Sequence, residues 1–133
     1  NGLIYYSYFD LQRDRLGFDR RWADMLVVGN EVKALFPALL SAAPAPKRVV
    51  RSDREGVQYS LRADDEGNTY VLMANPDAKA SATVRVAVAP GTEARVLSYG
   101  RVQPLPGAPH ARWRAVSLPP LGAATLILQA RGQ

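Results

Sequence analysis

One histidine, a few acidic side chains and one tryptophan are the residues whose types suggest chemistry. His110 stands between Pro109 and Ala111 in a loop, and the chain has no second histidine and no cysteine. A transition-metal site normally needs three or four such ligands, so none is predicted. The nucleophile-elbow motif of many Ser-His-Asp hydrolases is also missing. We interpret His110 as an exposed loop residue.

Asp10 is a stronger candidate for chemistry than the acidic cluster at residues 64–66. The cluster lacks the ordered ligand spacing of a calcium loop, so we interpret it as a solvated hairpin tip. Asp10 closes an apolar run that begins at Leu3 and ends at Phe9. If this run is a barrel strand, Tyr8 and Asp10 lie at its C-terminal end, where barrel active sites are built.

Two interpretations of Tyr8 and Asp10 compete. In the first, Tyr8 stacks on a sugar ring and Asp10 accepts hydrogen bonds from sugar hydroxyls. In the second, Asp10 caps the loop and the aromatic side chains fill the barrel. The second is favoured, because nothing in the sequence identifies the second carboxylate that glycosidic cleavage normally requires.

Trp113 is the third candidate, because its predicted strand has two different faces. In a regular strand Val116 and Leu118 face one side, while Trp113 faces the other side with Ala115 and Ser117. We therefore expect Trp113 outside the core. There it is a platform for a sugar, or it packs against the helix or against a further domain. Packing is favoured, since one tryptophan is a weak signal of binding.

The first forty residues predict one β-α unit. Residues 3–9 are apolar almost throughout, as in strands of parallel sheets that helices cover on both faces. A long amphipathic helix follows, with Asp19 as its expected N-cap and a kink or break expected near Pro37. Its apolar stripe consists of Trp22, Met25, Leu26, Gly29, Val32, Phe36, Leu39 and Leu40. One such unit cannot close a barrel, so we expect its partner strands elsewhere.

The rest of the chain predicts an antiparallel β-sandwich. A proline-rich linker at residues 43–47 precedes it, and the period of the apolar residues then changes to two. Strands are predicted over residues 57–63, 69–75, 81–88, 93–99, 112–118 and 123–128. The predicted fold class is mainly β, with six to seven sandwich strands in residues 48–133. The preceding strand and helix, in residues 1–42, are assigned to an incomplete (β/α)8 barrel.

Composition excludes several classes of function. With 47% hydrophobic and 22% charged residues among 133, the chain is typical of a soluble globular protein. The absence of cysteine excludes a disulfide framework, and we predict no cofactor and no metal. The net charge is +5, but the arginines are scattered without a recognition motif, so no nucleic-acid partner is predicted. No apolar run is long enough to cross a bilayer, so no membrane partner is predicted, and the compartment stays open with export as one option.

The order of the elements resembles the C-terminal end of a (β/α)8-barrel glycoside hydrolase with its appended β-sandwich. GLIYYSYFD (residues 2–10) resembles the eighth barrel strand, and residues 22–40 resemble the eighth helix. YVLMANP (residues 70–76) is similar to a sandwich strand that reads "v-l-v-x-N" in such enzymes. VSLPPLGAATLIL (residues 116–128) resembles their closing strands, where an "lpp-x-g-x-x-vl-l" pattern is common.

The resemblance implies that the full-length protein is a glycoside hydrolase of carbohydrate metabolism. It carries over no catalytic residue, because the acid and nucleophile of such enzymes lie on earlier barrel strands. We therefore expect a non-catalytic accessory region that stabilises the barrel and reaches the rim of the carbohydrate site through Tyr8 and Asp10. Its expected partner is the remainder of its own polypeptide, or another chain that covers residues 3–9.

The alternative function is a stand-alone β-sandwich module that binds carbohydrate or another protein. In a carbohydrate-binding module, exposed aromatic side chains such as Trp113, Tyr99 or Tyr59 would hold the glycan. In a protein-interaction module, residues 3–9 would add to a partner's sheet or exchange between two copies of the chain.

Overall fold

A computed structural model describes residues 13, 15, 17–108 and 110–129 of the chain. The described residues form one α-helix followed by eight β-strands. Their bounds are α1 Phe18–Leu40, β1 Val50–Ser52, β2 Gln58–Ala63, β3 Thr69–Ala74, β4 Ala82–Ala87, β5 Ala94–Ser98, β6 Arg101–Pro104, β7 Trp113–Leu118 and β8 Ala123–Leu128. The predicted strand at residues 3–9, with Tyr8 and Asp10, lies outside the described residues.

The strands form two antiparallel sheets, which confirms a mainly β architecture. One sheet has three strands in the order β1-β4-β7, and the other has five in the order β2-β3-β8-β5-β6. Eight strands exceed the six to seven predicted. The two strands that are absent from the predicted set are β1, which has only three residues, and β6, which begins a segment rich in proline and glycine. The barrel part of the predicted fold class is not confirmed, since every strand pair in the described residues is antiparallel.

One apolar core lies between the two sheets. Successive strand residues point to opposite faces, so every second side chain faces inward. The three-stranded sheet contributes Val84, Val86, Val116 and Leu118 to this core, and the five-stranded sheet contributes Val71, Met73, Ala94, Leu126 and Leu128. A fully buried valine, leucine or methionine stabilises a fold by about 1.5–3 kcal/mol relative to an exposed one. The shared core makes the two sheets one sandwich.

Helix α1 differs from the prediction at its start and near its end. It begins at Phe18, with Gly17 at the N-cap position and no side-chain cap, so the prediction of Asp19 as the N-cap is wrong. Asp19 lies instead in the first turn, where a carboxylate interacts favourably with the helix dipole. The helix also continues through Pro37 to Leu40 without a break. Pro37 removes one amide donor, but only the final turn follows it, so little helix depends on the missing hydrogen bond.

Helix α1 packs on the outer face of the five-stranded sheet, against β2, β5 and β6. The strand register places Leu72, Thr125 and Leu97 in one row across that sheet. Glu31 and Leu35 of the helix line a cavity of about 180 Å³ above this row. Leu97 and Thr125 are buried although they face away from the sandwich core. The helix therefore acts as a third layer that covers the sheet.

The hairpin loop between β2 and β3 is built around Asp64. Only 4% of this residue is exposed, so the interpretation of residues 64–66 as a solvated tip is wrong for Asp64. Its Oδ1 accepts hydrogen bonds from the amides of Glu66 (3.0 Å) and Asn68 (2.8 Å). Its Oδ2 accepts bonds from the Asn68 Nδ2 (2.8 Å) and the Tyr70 hydroxyl (3.1 Å). The loop thus has a polar core of its own.

Ionisation of Asp64 and Tyr70 reflects this arrangement. Burial opposes the charged form of Asp64, but the bonds from Asn68, Tyr70 and Glu66 stabilise the carboxylate more, so its pKa lies below the ordinary value. Burial and the neighbouring Asp64 carboxylate raise the pKa of Tyr70 to about 12. Near neutral pH the loop therefore holds an ionised Asp64 and a neutral Tyr70.

Asn75 joins the turn after β3 to the turn between β7 and β8. The side chain is buried, and its Nδ2 donates to the carbonyl oxygens of Ala80 (2.8 Å) and Pro119 (3.0 Å). Its Oδ1 accepts a bond from the Asp77 amide (3.1 Å), and its own amide donates to the Gly122 carbonyl (2.8 Å). One side chain therefore couples two loops that are distant in sequence.

Candidate functional site

Trp113 lies on the outward face of the three-stranded sheet. It is 38% exposed, whereas Val116 and Leu118 are buried, which confirms its predicted position outside the core. Helix α1 packs on the other sheet, so Trp113 does not pack against the helix. A platform for a ligand and a contact with a further domain stay as the two interpretations of this tryptophan.

The strand register brings two arginines close to Trp113. Arg51 on β1 pairs with Arg85 on β4, and Arg85 pairs with Ala115 on β7, so the three form one row across the sheet. Residues that pair directly across strands present their side chains on the same face. The Arg51 guanidinium lies over the Trp113 ring, with Cζ 5.3 Å from the ring centroid. This distance is that of a cation–π interaction.

Arg51, Arg85, Trp113 and Ala115 line a cleft of about 270 Å³, which we call the arginine–tryptophan cleft. The small side chain of Ala115 leaves the space between the larger ones. Neither guanidinium has a carboxylate partner among the residues that the structure describes. Like charges directly opposite each other destabilise a sheet, so this pair of arginines costs stability in the free protein. The cleft combines two unpaired cations with an aromatic ring.

The rows beside the cleft differ in polarity. On one side Trp113 pairs with Ala87, whose amide donates to the Val49 carbonyl at 2.9 Å, so this row is apolar. On the other side Thr83 pairs with Ser117, and the Asp53 carboxylate accepts a hydrogen bond from the Thr83 amide at 2.7 Å, so this row carries two hydroxyl groups and one carboxylate. The cleft therefore has an apolar edge at the tryptophan and, opposite it, a polar edge with two hydroxyl groups and the Asp53 carboxylate.

The other candidate residues do not join this cleft. His110 is an exposed loop residue, as predicted, and Tyr8 and Asp10 lie outside the described residues. Tyr59 lies on β2 and Tyr99 follows β5, so these exposed tyrosines belong to the other sheet. Within the described part of the chain, no group of three or more His, Cys, Asp or Glu side chains is arranged to hold a metal ion. No described helix is long and apolar enough to span a membrane.

The outward face of α1 is a second candidate surface, which we call the outer helix face and define by Trp22, Leu26, Phe36 and Leu40. These four residues of the predicted stripe are 43–79% exposed. At 3.6 residues per turn they lie on the side of the helix opposite to Ala38, which is buried. The sandwich thus covers the side of α1 that the sequence did not single out. The predicted stripe faces away from the sandwich.

Gly100, in the turn between β5 and β6, is the point of closest approach between α1 and the sheet. Its φ is +73°, and a Cβ there would lie 3.1 Å from the carbonyl oxygen of Val27 and 3.2 Å from the Val27 Cα. Its amide donates to the Glu31 Oε1 at 2.9 Å. Only glycine has both the backbone freedom and the small size that this contact requires.

We expect Gly100→Ala to lower the free energy of unfolding by about 2 kcal/mol or more, from left-handed backbone strain of about 1–2 kcal/mol and from contact with the helix backbone. Gly56→Ala is the matched control, because Gly56 has a φ of +83° but only one side-chain carbon, 3.9 Å away, near its Cβ position. Urea denaturation of both variants measures the difference. Equal losses would contradict the docking of α1 at this turn.

Arg114 lines a further cavity, of about 430 Å³, at one end of the sandwich. The residue is buried, and its Nη2 donates to the Thr92 carbonyl at 2.8 Å. Gly107 lies so close that a Cβ there would collide with Nη1 of Arg114. The guanidinium therefore ties the loop before β5 to the loop after β6, which is a structural role.

Comparison with protein-family models, with curated proteins and with solved structures found no match to this chain. The candidate surfaces must therefore be interpreted from their own chemistry. The sequence indicated Trp113 but not Arg51 or Arg85, because the local pattern of residues does not show that β1 pairs with β4. The sequence signal was limited to Arg85, which alternates with valines in a predicted strand, because Arg51 lies in β1, which was not predicted.

Proposed function

We propose that this chain is the non-catalytic C-terminal accessory region of a (β/α)8-barrel glycoside hydrolase. In this proposal α1 is shared between the sandwich and the remainder of the same polypeptide. The supporting observation is that α1 is apolar on two opposite sides. An apolar face of a helix is normally buried against a neighbouring element. The five-stranded sheet covers one side, and the outer helix face is left for a partner.

The outer helix face has the character of an interface. Trp22, Leu26, Phe36 and Leu40 expose apolar side chains along more than half of the helix. Large apolar side chains that are exposed on one side of a helix are typical of interaction sites. The last helix of a barrel has such an environment, because barrel strands cover its inner side while an appended domain can cover its outer side. The resemblance of residues 22–40 to an eighth barrel helix supports this assignment.

The proposed role is structural rather than catalytic. The cavities beside Glu31 and Glu93 and the arginine–tryptophan cleft each present at most one carboxylate. Glycosidic cleavage normally requires two carboxylates on opposite sides of the scissile bond. The catalytic residues are therefore assigned to the remainder of the polypeptide, and Tyr8 and Asp10 are proposed to reach the rim of its carbohydrate site.

Charged substitutions on the outer helix face test the interface. The tagged chain is co-expressed with the polypeptide encoded upstream of it, and co-purification is measured. We expect wild type to co-purify and Leu26→Glu/Phe36→Glu to lose the partner, because two carboxylates would be buried without counter-charges. Ala23→Glu/Asn30→Glu is the matched control, since both residues are exposed on α1 outside the outer helix face. Unchanged co-purification of the first variant, or a gene with no upstream polypeptide, would overturn the proposal.

The enzymatic half of the proposal has its own assay. The full-length polypeptide is tested for release of reducing sugar from a panel of neutral and acidic polysaccharides, and the present chain is tested alone. We expect hydrolysis only by the full-length polypeptide. If the chain co-purifies with the upstream polypeptide but the full-length protein hydrolyses no glycan, the chain is still an accessory domain. Its assignment to a glycoside hydrolase is then overturned.

A stand-alone module is the second candidate function, and the arginine–tryptophan cleft is the observation in its favour. A stand-alone chain would have to cover its outer helix face with a second copy. Sedimentation velocity over a range of concentrations tests this, because a concentration-dependent dimer supports the stand-alone module and a monomer opposes it.

A further inference from the structure

We propose that the arginine–tryptophan cleft binds an acidic sugar residue, whose anionic group lies between Arg51 and Arg85 and whose ring contacts Trp113. The proposal deepens the proposed function by naming a class of glycan, and it rests on that function for the choice of a sugar. The cleft lies on the three-stranded sheet, whereas α1 packs on the other sheet. It is therefore a site separate from the proposed domain interface.

The charge of the cleft favours an anionic ligand. Arg51 and Arg85 stand directly opposite each other in the register, and no described carboxylate pairs with either. The register thus places two like charges next to each other, and their repulsion destabilises the free cleft. An anionic group between the two would remove it and would accept charge-assisted hydrogen bonds from both forks. The cleft thus selects an anion.

The geometry of the cleft allows an apolar contact with the same ligand. The Trp113 ring is 38% exposed, and Arg51 lies over it at 5.3 Å, which holds both groups in place before a ligand arrives. An indole offers an apolar surface for the carbon-bound hydrogens of a pyranose ring. Thr83 and Ser117 stand on the other side of the arginine row, where they can exchange hydrogen bonds with sugar hydroxyls. An anionic ring with an apolar face and several hydroxyl groups matches all of these features.

The size of the cleft separates a sugar from other anionic polymers. At about 270 Å³ it is slightly smaller than the pockets of about 300–1,000 Å³ that enclose drug-sized ligands, so it accommodates one ring. Single-stranded nucleic acid is held by several aromatic platforms along a basic groove. The exposed Tyr59 and Tyr99 belong to the other sheet and do not extend this platform. One acidic sugar unit fits better than a stretch of nucleic acid.

Calorimetric titration of the whole chain tests the proposal. The probes are an oligogalacturonate, a sulfated chondroitin oligosaccharide, a neutral galactan oligosaccharide, single-stranded oligothymidylate and an oligoglutamate peptide. We expect one or both acidic oligosaccharides to bind at least tenfold more tightly than the neutral one. The two acidic probes distinguish a carboxylate from a sulfate as the preferred group.

Three variants connect binding to the cleft. Arg85→Gln and Trp113→Ala should each weaken binding of the acidic oligosaccharide at least tenfold. Arg62→Gln is the matched control, because Arg62 is an exposed arginine on β2 of the other sheet and its loss should change the affinity less than twofold. Thermal unfolding of each variant checks that the fold is retained. Because Arg85 faces outward beside a like charge, we expect Arg85→Gln to fold as well as wild type.

Several outcomes would overturn the proposal. Equal affinity for neutral and acidic oligosaccharides would show that the arginines do not recognise an anionic group. Equal losses from Arg62→Gln and Arg85→Gln would indicate attraction by net charge alone. Tighter binding of oligothymidylate or oligoglutamate, or no binding of any probe, would exclude a sugar site. Co-purification tests the outer helix face, which belongs to the helix on the five-stranded sheet, whereas the titrations test a cleft on the three-stranded sheet. Failure of one proposal is therefore distinguishable from failure of the other.

Discussion

Asp64→Ala is expected to lower the free energy of unfolding by about 3 kcal/mol, because it removes the acceptor for a buried hydroxyl and for several amide donors at once. The Tyr70 hydroxyl and the Asn68 side chain both donate to the Asp64 Oδ2. Without the carboxylate these donors stay in the hairpin loop with no acceptor. Unsatisfied buried groups cost about 1–3 kcal/mol each, and partial access of water to the loop reduces the sum.

Urea denaturation of wild type, Asp64→Ala and Asp64→Asn measures this effect. Asp64→Asn is the matched control: it keeps the shape and one acceptor oxygen but loses the charge, so we expect an intermediate loss. Equal stability of all three proteins would show that the loop does not depend on the carboxylate.

The pH dependence gives the same experiment a second readout. The pKa of Asp64 is lower in the folded state than the ordinary value of about 3.9. Its contribution to stability is therefore complete above the unfolded pKa and is lost as the pH falls through the folded pKa. The difference between wild type and Asp64→Ala should be constant near neutral pH and should narrow in acid below about pH 4. A constant difference down to pH 2 would exclude an ionised Asp64 in the loop.

Asn75→Ala is expected to lower the free energy of unfolding by about 2–3 kcal/mol, because it leaves carbonyl groups of two turns without a donor. The Nδ2 of Asn75 contacts Ala80 in one turn and Pro119 in the other, so both turns lose a bond together. Chemical denaturation measures the loss. Asn30→Ala is the control, because Asn30 is an exposed residue of α1.

The isosteric Asn75→Asp variant shows whether the Nδ2 donor or the Oδ1 acceptor of Asn75 provides the stabilisation. It keeps the acceptor for the Asp77 amide but directs an oxygen instead of an NH2 group at two carbonyl oxygens. We therefore expect it to be at least as destabilising as alanine. A stable Asn75→Asp protein would mean that the Nδ2 bonds contribute little.

The sequence predicted the fold where the evidence is local. Alternation placed Val116 and Leu118 inward and Trp113 outward, as the structure has them. β1 was not predicted, because three residues are too few to show the alternation of apolar and polar side chains. It is a strand because it pairs with β4. The burial of Asp64 had a local signal, an aspartate followed by Asn68 and Tyr70, but acidic residues in a predicted turn favoured exposure.

The candidate site depends on strand pairings that cannot be predicted from the local pattern of the sequence. Arg51 and Arg85 are far apart in sequence, and each alone is an ordinary arginine on an exposed strand face. Only the register of β1 with β4 makes them neighbours and places them beside Trp113. Local pattern also does not show which side of α1 faces the sandwich. The large apolar residues of the predicted stripe outweighed Ala38 and Val27 in the prediction, yet Ala38 is the buried side chain of the helix.

The close contact of α1 with the five-stranded sheet has a consequence for protein engineering. A designer who transplants the sandwich and cuts at the proline-rich segment would discard α1 and uncover Leu97 and Thr125, which are buried here. The new surface would favour aggregation, because a sheet face that α1 normally covers would be exposed to water. A graft should instead begin at Gly17 and retain the helix, with charged residues introduced at Leu26 and Phe36 to make it soluble by itself. The transplantable module is thus longer than the run of strands suggests.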